Sequence, residues 1–170
     1  MKRGDFIVAL LLSIAQTGCM GGLPPKQPAV PSTSATDEIR TLTELVNRHR
    51  RAVGCKDLTW FEPVAAVAQK HSDDMVRRNF FDHKNPEGLS PFQRLNAAGV
   101  HFTRAAENIA YGQQTAYAVM ASWLKSPGHR RNIEDCAMRE HGIGFARGTK
   151  TLPYGTMINA WTHNFVVLRP

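Results

Sequence analysis

The sequence predicts an α+β fold in which helices cover an antiparallel sheet. Three observations carry that prediction. Apolar residues recur at helical spacing from Asp37 to about Asn79, and again from Ala116 to Trp123. Ser90-Pro91 and Ser126-Pro127 each place a capping residue before a proline suited to the first helical position. Past Gly142 the period changes, and Met157 to Leu168 is a long, β-prone apolar run.

The N-terminus is read first. Lys2 and Arg3 precede an apolar stretch, Phe6 to Ala15, that is too short to span a bilayer. This pattern predicts a secretory signal over residues 1–18. Thr17-Gly18-Cys19 resembles the bacterial lipoprotein signal, in which the cysteine is lipidated and becomes N-terminal; Gln16 and Asp5 depart from that pattern. The alternative is an ordinary cleavable signal with Cys19 merely nearby. Residues 19–36, rich in Gly, Pro, Ser and Thr, read as a linker, and residues 37–170 as the folded domain.

Composition agrees with one ordinary core: 42% hydrophobic and 21% charged residues exclude a disordered or collagen-like chain. Lys and Arg number 21 against 14 Asp and Glu, a formal charge of +7 that suits phospholipid head groups or envelope polymers. Nucleic acid is not an expected partner, because export removes the usual target and no recognition motif appears.

Within the domain, Ile39, Leu42, Leu45, Val46 and His49 mark the first amphipathic helix, Asp37 to about Val53. Thr59 and Glu62 fit a capping box ahead of a second helix through Val64, Val67, Ala68, His71 and Met75. His71 lies on the apolar stripe and reads as a hydrogen-bonded core histidine. Ser90 opens a third helix that Gly99 can close; a fourth contains Val119, Met120 and Trp123, and a short fifth carries His129. Ile143 and Phe145 lie in a Gly-interrupted strand that pairs with the last run as a hairpin. His163, between Trp161 and Phe165 on one face, suggests burial or a cleft wall; His101 and His141 sit at element edges. In an exported protein Cys55 and Cys136 are expected to form a disulfide.

Several blocks, in order, resemble the CAP superfamily of cysteine-rich secretory proteins, antigen 5 and pathogenesis-related proteins, and within it the bacterial secreted SCP-domain branch. They are His71-Ser72, Phe80-Phe81-Asp82-His83, Gly88-Leu89-Ser90-Pro91 and Glu107-Asn108-Ile109-Ala110-Tyr111-Gly112. Trp123-Leu124-Lys125-Ser126-Pro127-Gly128-His129 and Gly142-Ile143-Gly144-Phe145-Ala146 complete the series. The resemblance implies a three-layer α-β-α sandwich with a central antiparallel sheet. It also implies a cleft lined by two His and two acidic residues, here His83, Glu107 and His129, with Ser126 in the place of the second acid.

Two neutral imidazoles can bind Zn²⁺ or another divalent ion, but a catalytic zinc usually has three protein ligands. Glu107 could be a third ligand or a base. Equally, His83 and His129 could cap backbone while Glu107 ties a loop to nearby amides. No metal or cofactor is required by the sequence. The expected function is an exported, lipid-anchored, non-enzymatic binding module of the bacterial envelope, with a lipid or other small hydrophobic ligand. The alternative is a metal-assisted hydrolase of peptide or cell-wall polymer. The sequence leaves the oligomeric state open.

Overall fold

The computed structural model describes residues 34–148, 151–152, 155–156 and 159–170. The signal segment, Cys19 and the linker up to residue 33 lie outside the described residues. The elements are α1 (Ala35–Ala52), β1 (Thr59–Trp60), α2 (Glu62–Arg78), α3 (Pro91–Ala97) and β2 (Phe102–Tyr111). They continue as α4 (Ala116–Lys125), α5 (Pro127–Glu134), β3 (Glu140–Arg147), β4 (Thr151–Leu152), β5 (Gly155–Thr156) and β6 (Asn159–Leu168).

Local chemistry explains the helix ends. The Ser34 hydroxyl accepts from the Asp37 amide to open α1. Ser90 and Gln93 close a reciprocal capping box at α3, with Pro91 just inside. Asn79 adopts the left-handed conformation (φ 59°) that ends α2 and redirects the chain towards His83. The capping box read at Thr59 and Glu62 does not form: Thr59 is in β1, and the Glu62 carboxylate accepts from the Trp60 indole at 2.9 Å.

The sheet has four strands in the order β1-β3-β6-β2. β6 pairs antiparallel with both β3 and β2, but β1 runs parallel to β3, so the sheet is mixed rather than purely antiparallel. The parallel pairing follows from the connection: β1 and β3 are separated by most of the domain, not by a hairpin turn. β4 and β5 form a separate two-stranded ribbon. Residues 102–111, to which the sequence pattern assigns no element, form strand β2 at the sheet edge and carry Glu107.

Alternation along β6 builds the three layers. Trp161 and Phe165 join Leu42 and Val46 of α1, Val119 and Trp123 of α4, Ile133 of α5, and Ile143 and Phe145 of β3 in one core. Val166 points the other way, against Val64 and Val67 of α2 and Leu95 of α3. Ala160 on that same face meets Met75 and Ile109.

α2 lies unusually close to β3. A Cβ at Gly142 would fall on the backbone of Val64 and Ala65, and one at Gly144 on Ala68 and Gln69. Glycine there is a packing requirement. β1 covers β3 only at Glu140 and His141. Beyond them the Gln69 side-chain amide meets the outer edge, donating to the Phe145 carbonyl at 3.0 Å and accepting its N–H at 2.9 Å.

The Cys55–Cys136 disulfide is present, with Cα atoms 4.9 Å apart. Beside it Arg50, fully buried, donates to the carbonyls of Lys56, Ile133, Asp135 and Met138 at 2.7–3.2 Å. One guanidinium thus joins the end of α1 to the chain leaving α5.

Candidate functional site

Glu107 and Asn108 are consecutive on edge strand β2, so their side chains leave opposite faces of the sheet. On the α2–α3 face, His83 Nδ1 donates to Glu107 Oε1 at 2.9 Å and the Arg94 guanidinium donates to Oε2 at 2.6 Å. Only 2% of the Glu107 side chain is exposed. Arg94 also donates to the main-chain carbonyl of His83 at 2.6 Å and to that of Leu89 at 3.0 Å. It therefore positions both the carboxylate and the segment that presents His83.

On the other face Asn108, fully buried, donates to the main-chain carbonyl of His129 at 3.0 Å and accepts from Asn132 at 2.8 Å. These bonds dock the first turns of α5 onto β2. The His129 ring lies 6.3 Å from the Trp123 ring. Burial and the nearby charge of His83 lower its pKa, so at neutral pH it offers an uncharged nitrogen.

Ser126 stands at the junction of α4 and α5. Its main chain bonds to Trp123 and Arg130, but its hydroxyl makes no cap bond to α5. The cap reading holds for its position, not for its side chain. Thus His83 and Glu107 are in direct contact, whereas the main chain of His129 meets the same strand through Asn108, and Ser126 bonds only within α4 and α5. Among the described residues no hydrogen bond joins the two pairs.

His71 is buried, as read, with Nε2 donating to the Asp82 carbonyl at 3.0 Å. His163 is also buried, and His141 is not at an exposed edge: the two form a contact pair in the core. Sequence reasoning missed Arg94, Asn108 and Arg50. For Arg50 a signal existed, because Glu38, Leu42, Val46 and Arg50 recur every fourth residue and all are buried.

The donor set does not fit a resident catalytic zinc. Two imidazoles are one short of the usual three protein ligands, and the Glu107 carboxylate, 2% exposed, is held by His83 and Arg94. Among the described residues no three His, Cys, Asp or Glu side chains gather as a metal-holding group.

A three-layer sandwich whose edge strand carries this Glu-Asn pair between two histidine segments defines an SCP-type domain. Residues 43–165 match the cysteine-rich secretory protein (CAP) family, and the chain belongs to that family. It is 33% identical over 138 residues, 81% of its length, to the Bacillus subtilis (strain 168) protein described as "Uncharacterized protein YkwD". Over 112 residues, 66% of its length, it is 35% identical to that organism's "Uncharacterized membrane protein YlbC". Its structure is similar (TM-score 0.69, 28% identity, 84% of this chain) to an extracellular protein containing a SCP domain from Bacillus anthracis str. Ames. The chain spans 50%, 32% and 45% of these three proteins' lengths, so each contains a further region without a counterpart in the match.

Proposed function

We propose that this chain is an exported, lipid-anchored binding module of the bacterial envelope. Its ligand, a lipid or other small envelope molecule, is held at the β2 edge by His83, Glu107, Ser126 and His129 without being turned over. The observation that supports this reading is the engagement of Glu107. Its buried carboxylate accepts from His83 on one oxygen and from Arg94 on the other. A general base must be reached by substrate or water, and this carboxylate is 2% exposed and held in an ion pair with Arg94. Ser126, where a second acid would stand, cannot replace a carboxylate at neutral pH. The similar proteins described as extracellular or membrane proteins support an outward location, as does the basic charge. Among the described residues no helix is long and apolar enough to cross a membrane. The Thr17-Gly18-Cys19 pattern supports anchoring through a diacylated Cys19, since several acyl chains hold where one does not.

A divalent ion has only the imidazoles of His83 and His129 to hold it, which makes metal affinity weak and dependent on neutral rings.

The test offers peptide, ester and peptidoglycan substrates to purified wild-type protein and Glu107→Gln, and analyses solvent extracts of the protein by mass spectrometry. No turnover and a stoichiometric small lipid, lost in His83→Ala/His129→Ala, are expected. Hydrolysis that disappears in Glu107→Gln, while circular dichroism shows the variant still folded, establishes the hydrolase instead. Membrane retention that survives Cys19→Ser overturns the anchor.

A further inference from the structure

A second site lies apart from the β2 edge, in a cavity of about 220 Å³ between α2 and α3. Val67, Leu89 and Ala97 give it an apolar wall; His71, Asp74 and Arg94 give it a polar one. Two of those polar side chains carry a buried atom with no hydrogen-bond partner, His71 Nδ1 and Arg94 Nε. His71 is 1% exposed and the Arg94 side chain 10%.

The chemistry of the two atoms is fixed by their other bonds. His71 Nε2 faces the Asp82 carbonyl and must donate, and burial holds the ring neutral, so Nδ1 is a bare acceptor. The terminal nitrogens of Arg94 are committed to His83, Leu89 and Glu107, which leaves Nε–H as a donor. Both residues line the cavity, and an unpartnered buried donor and an unpartnered buried acceptor each carry a desolvation cost that a matching guest removes.

We propose that this cavity binds a small amphiphile with an uncharged head that both donates and accepts, a hydroxyl or a carboxamide, on a short apolar body. The head donates to His71 Nδ1 and accepts from Arg94 Nε–H, while the body rests on Val67, Leu89 and Ala97. A carboxylate fits badly: its lone pairs oppose those of Nδ1, and Asp74 adds a like charge. Lys70, at the exposed rim, can draw an anion near but does not supply the missing donor for Nδ1. The volume limits the guest to a small molecule, below the usual range of drug-sized pockets. The proposal is independent of the reading of the β2 edge, although Arg94 touches both places.

The test titrates isotope-labelled protein with pentan-1-ol, pentanamide and pentanoate, following backbone amides and the His71 ring nitrogens by NMR. Saturable shifts at Val67, His71, Leu89 and Arg94 are expected for the alcohol and the amide, with pentanoate weaker by about tenfold or more. Ala97 is exposed, so Ala97→Trp blocks the cavity without endangering the fold and is expected to abolish the shifts. His71→Phe is expected to weaken the alcohol by a similar factor and leave pentanoate unchanged. Three outcomes overturn the proposal: no saturable shift, which leaves the two atoms to ordered water alone; pentanoate binding as tightly as the alcohol; or binding that survives Ala97→Trp.

Discussion

His141 and His163 face each other across β3 and β6 with Nδ1 and Nε2 2.9 Å apart, both rings fully buried. Trp60 meets His141 edge-on at 5.6 Å, and Phe165 and Trp123 flank His163 at 3.8 and 5.8 Å. Nδ1 of His163 and Nε2 of His141 have no partner. Burial and the positive charge of Arg50 push His141 down to about 4; burial, His141 and Arg50 hold His163 well below 6.5. Both rings are therefore neutral in the folded protein, and one tautomer of each makes the shared hydrogen bond.

This pair predicts acid-sensitive stability. The unfolded histidines protonate near pH 6.5, while the folded His141 resists protonation down to about 4. Between those values the unfolded state binds more protons, so stability is full above pH 6.5 and falls as the pH drops through that window. For His141 the loss amounts to roughly 3 kcal/mol by pH 4. Denaturant unfolding from pH 7.5 to 4 measures it, with His141→Gln expected to show a shallower slope. An equal slope in that variant refutes the assignment.

Arg50 and the neighbouring disulfide predict two separable losses. Arg50→Met leaves four carbonyls, two of them in fully buried bonds, without their donor and is expected to cost about 3–5 kcal/mol. Cys55→Ser opens a loop of 81 residues' separation, which the chain-entropy model values at about 4–5 kcal/mol as an upper figure. Reductant should lower the melting temperature of the wild type but not of Cys55→Ser. Two titratable thiols in unreduced, folded protein contradict the pairing.

Gly144→Ala is expected to destabilise by roughly 3 kcal/mol or more, because the added methyl meets helix backbone that cannot rotate aside. Gly128→Ala is the control: its Cβ meets nothing within 4 Å, and the helical position favours alanine by about 0.5–1 kcal/mol. Equal melting temperatures for the two variants count against the close approach of α2.

Glu107 and Arg94 are expected to be coupled. Glu107→Gln strands a buried guanidinium and should cost about 3–5 kcal/mol, as should Arg94→Met for the opposite charge. The double variant should recover a large part of either loss, which a double-mutant cycle on denaturation midpoints reads directly. Additive losses refute the coupling.

The helices were legible because their apolar stripes and several caps are local; Ser90 and Pro91 act where they stand in the chain, whereas Ser34, which opens α1, falls in the segment read as linker. β2 was not. Arg104, Glu107 and Asn108 interrupt its alternation, and the partners that allow their burial or anchoring lie on α3, α5 and other distant segments. β1 was read as a capping box because a two-residue strand has no period to detect. The His83–Glu107 contact could be expected only from the family resemblance. Arg94, which holds both, carries no local mark, since nothing in its own helix reveals that β2 passes beside it.

The amide of Gln69 at Phe145 has a consequence for association between copies of this chain. Beyond β1 the rim of β3 exposes the pattern of donors and acceptors that another chain's strand would recruit. Gln69 supplies one donor and one acceptor at that rim, as a strand would, and its amide nitrogen also donates back to Asp73 of its own helix at 2.9 Å, so the pairing goes no further. The sheet is terminated by a side chain that mimics a neighbour for the length of one residue. Edge-to-edge growth of the sheet into fibrils therefore has no template at Phe145.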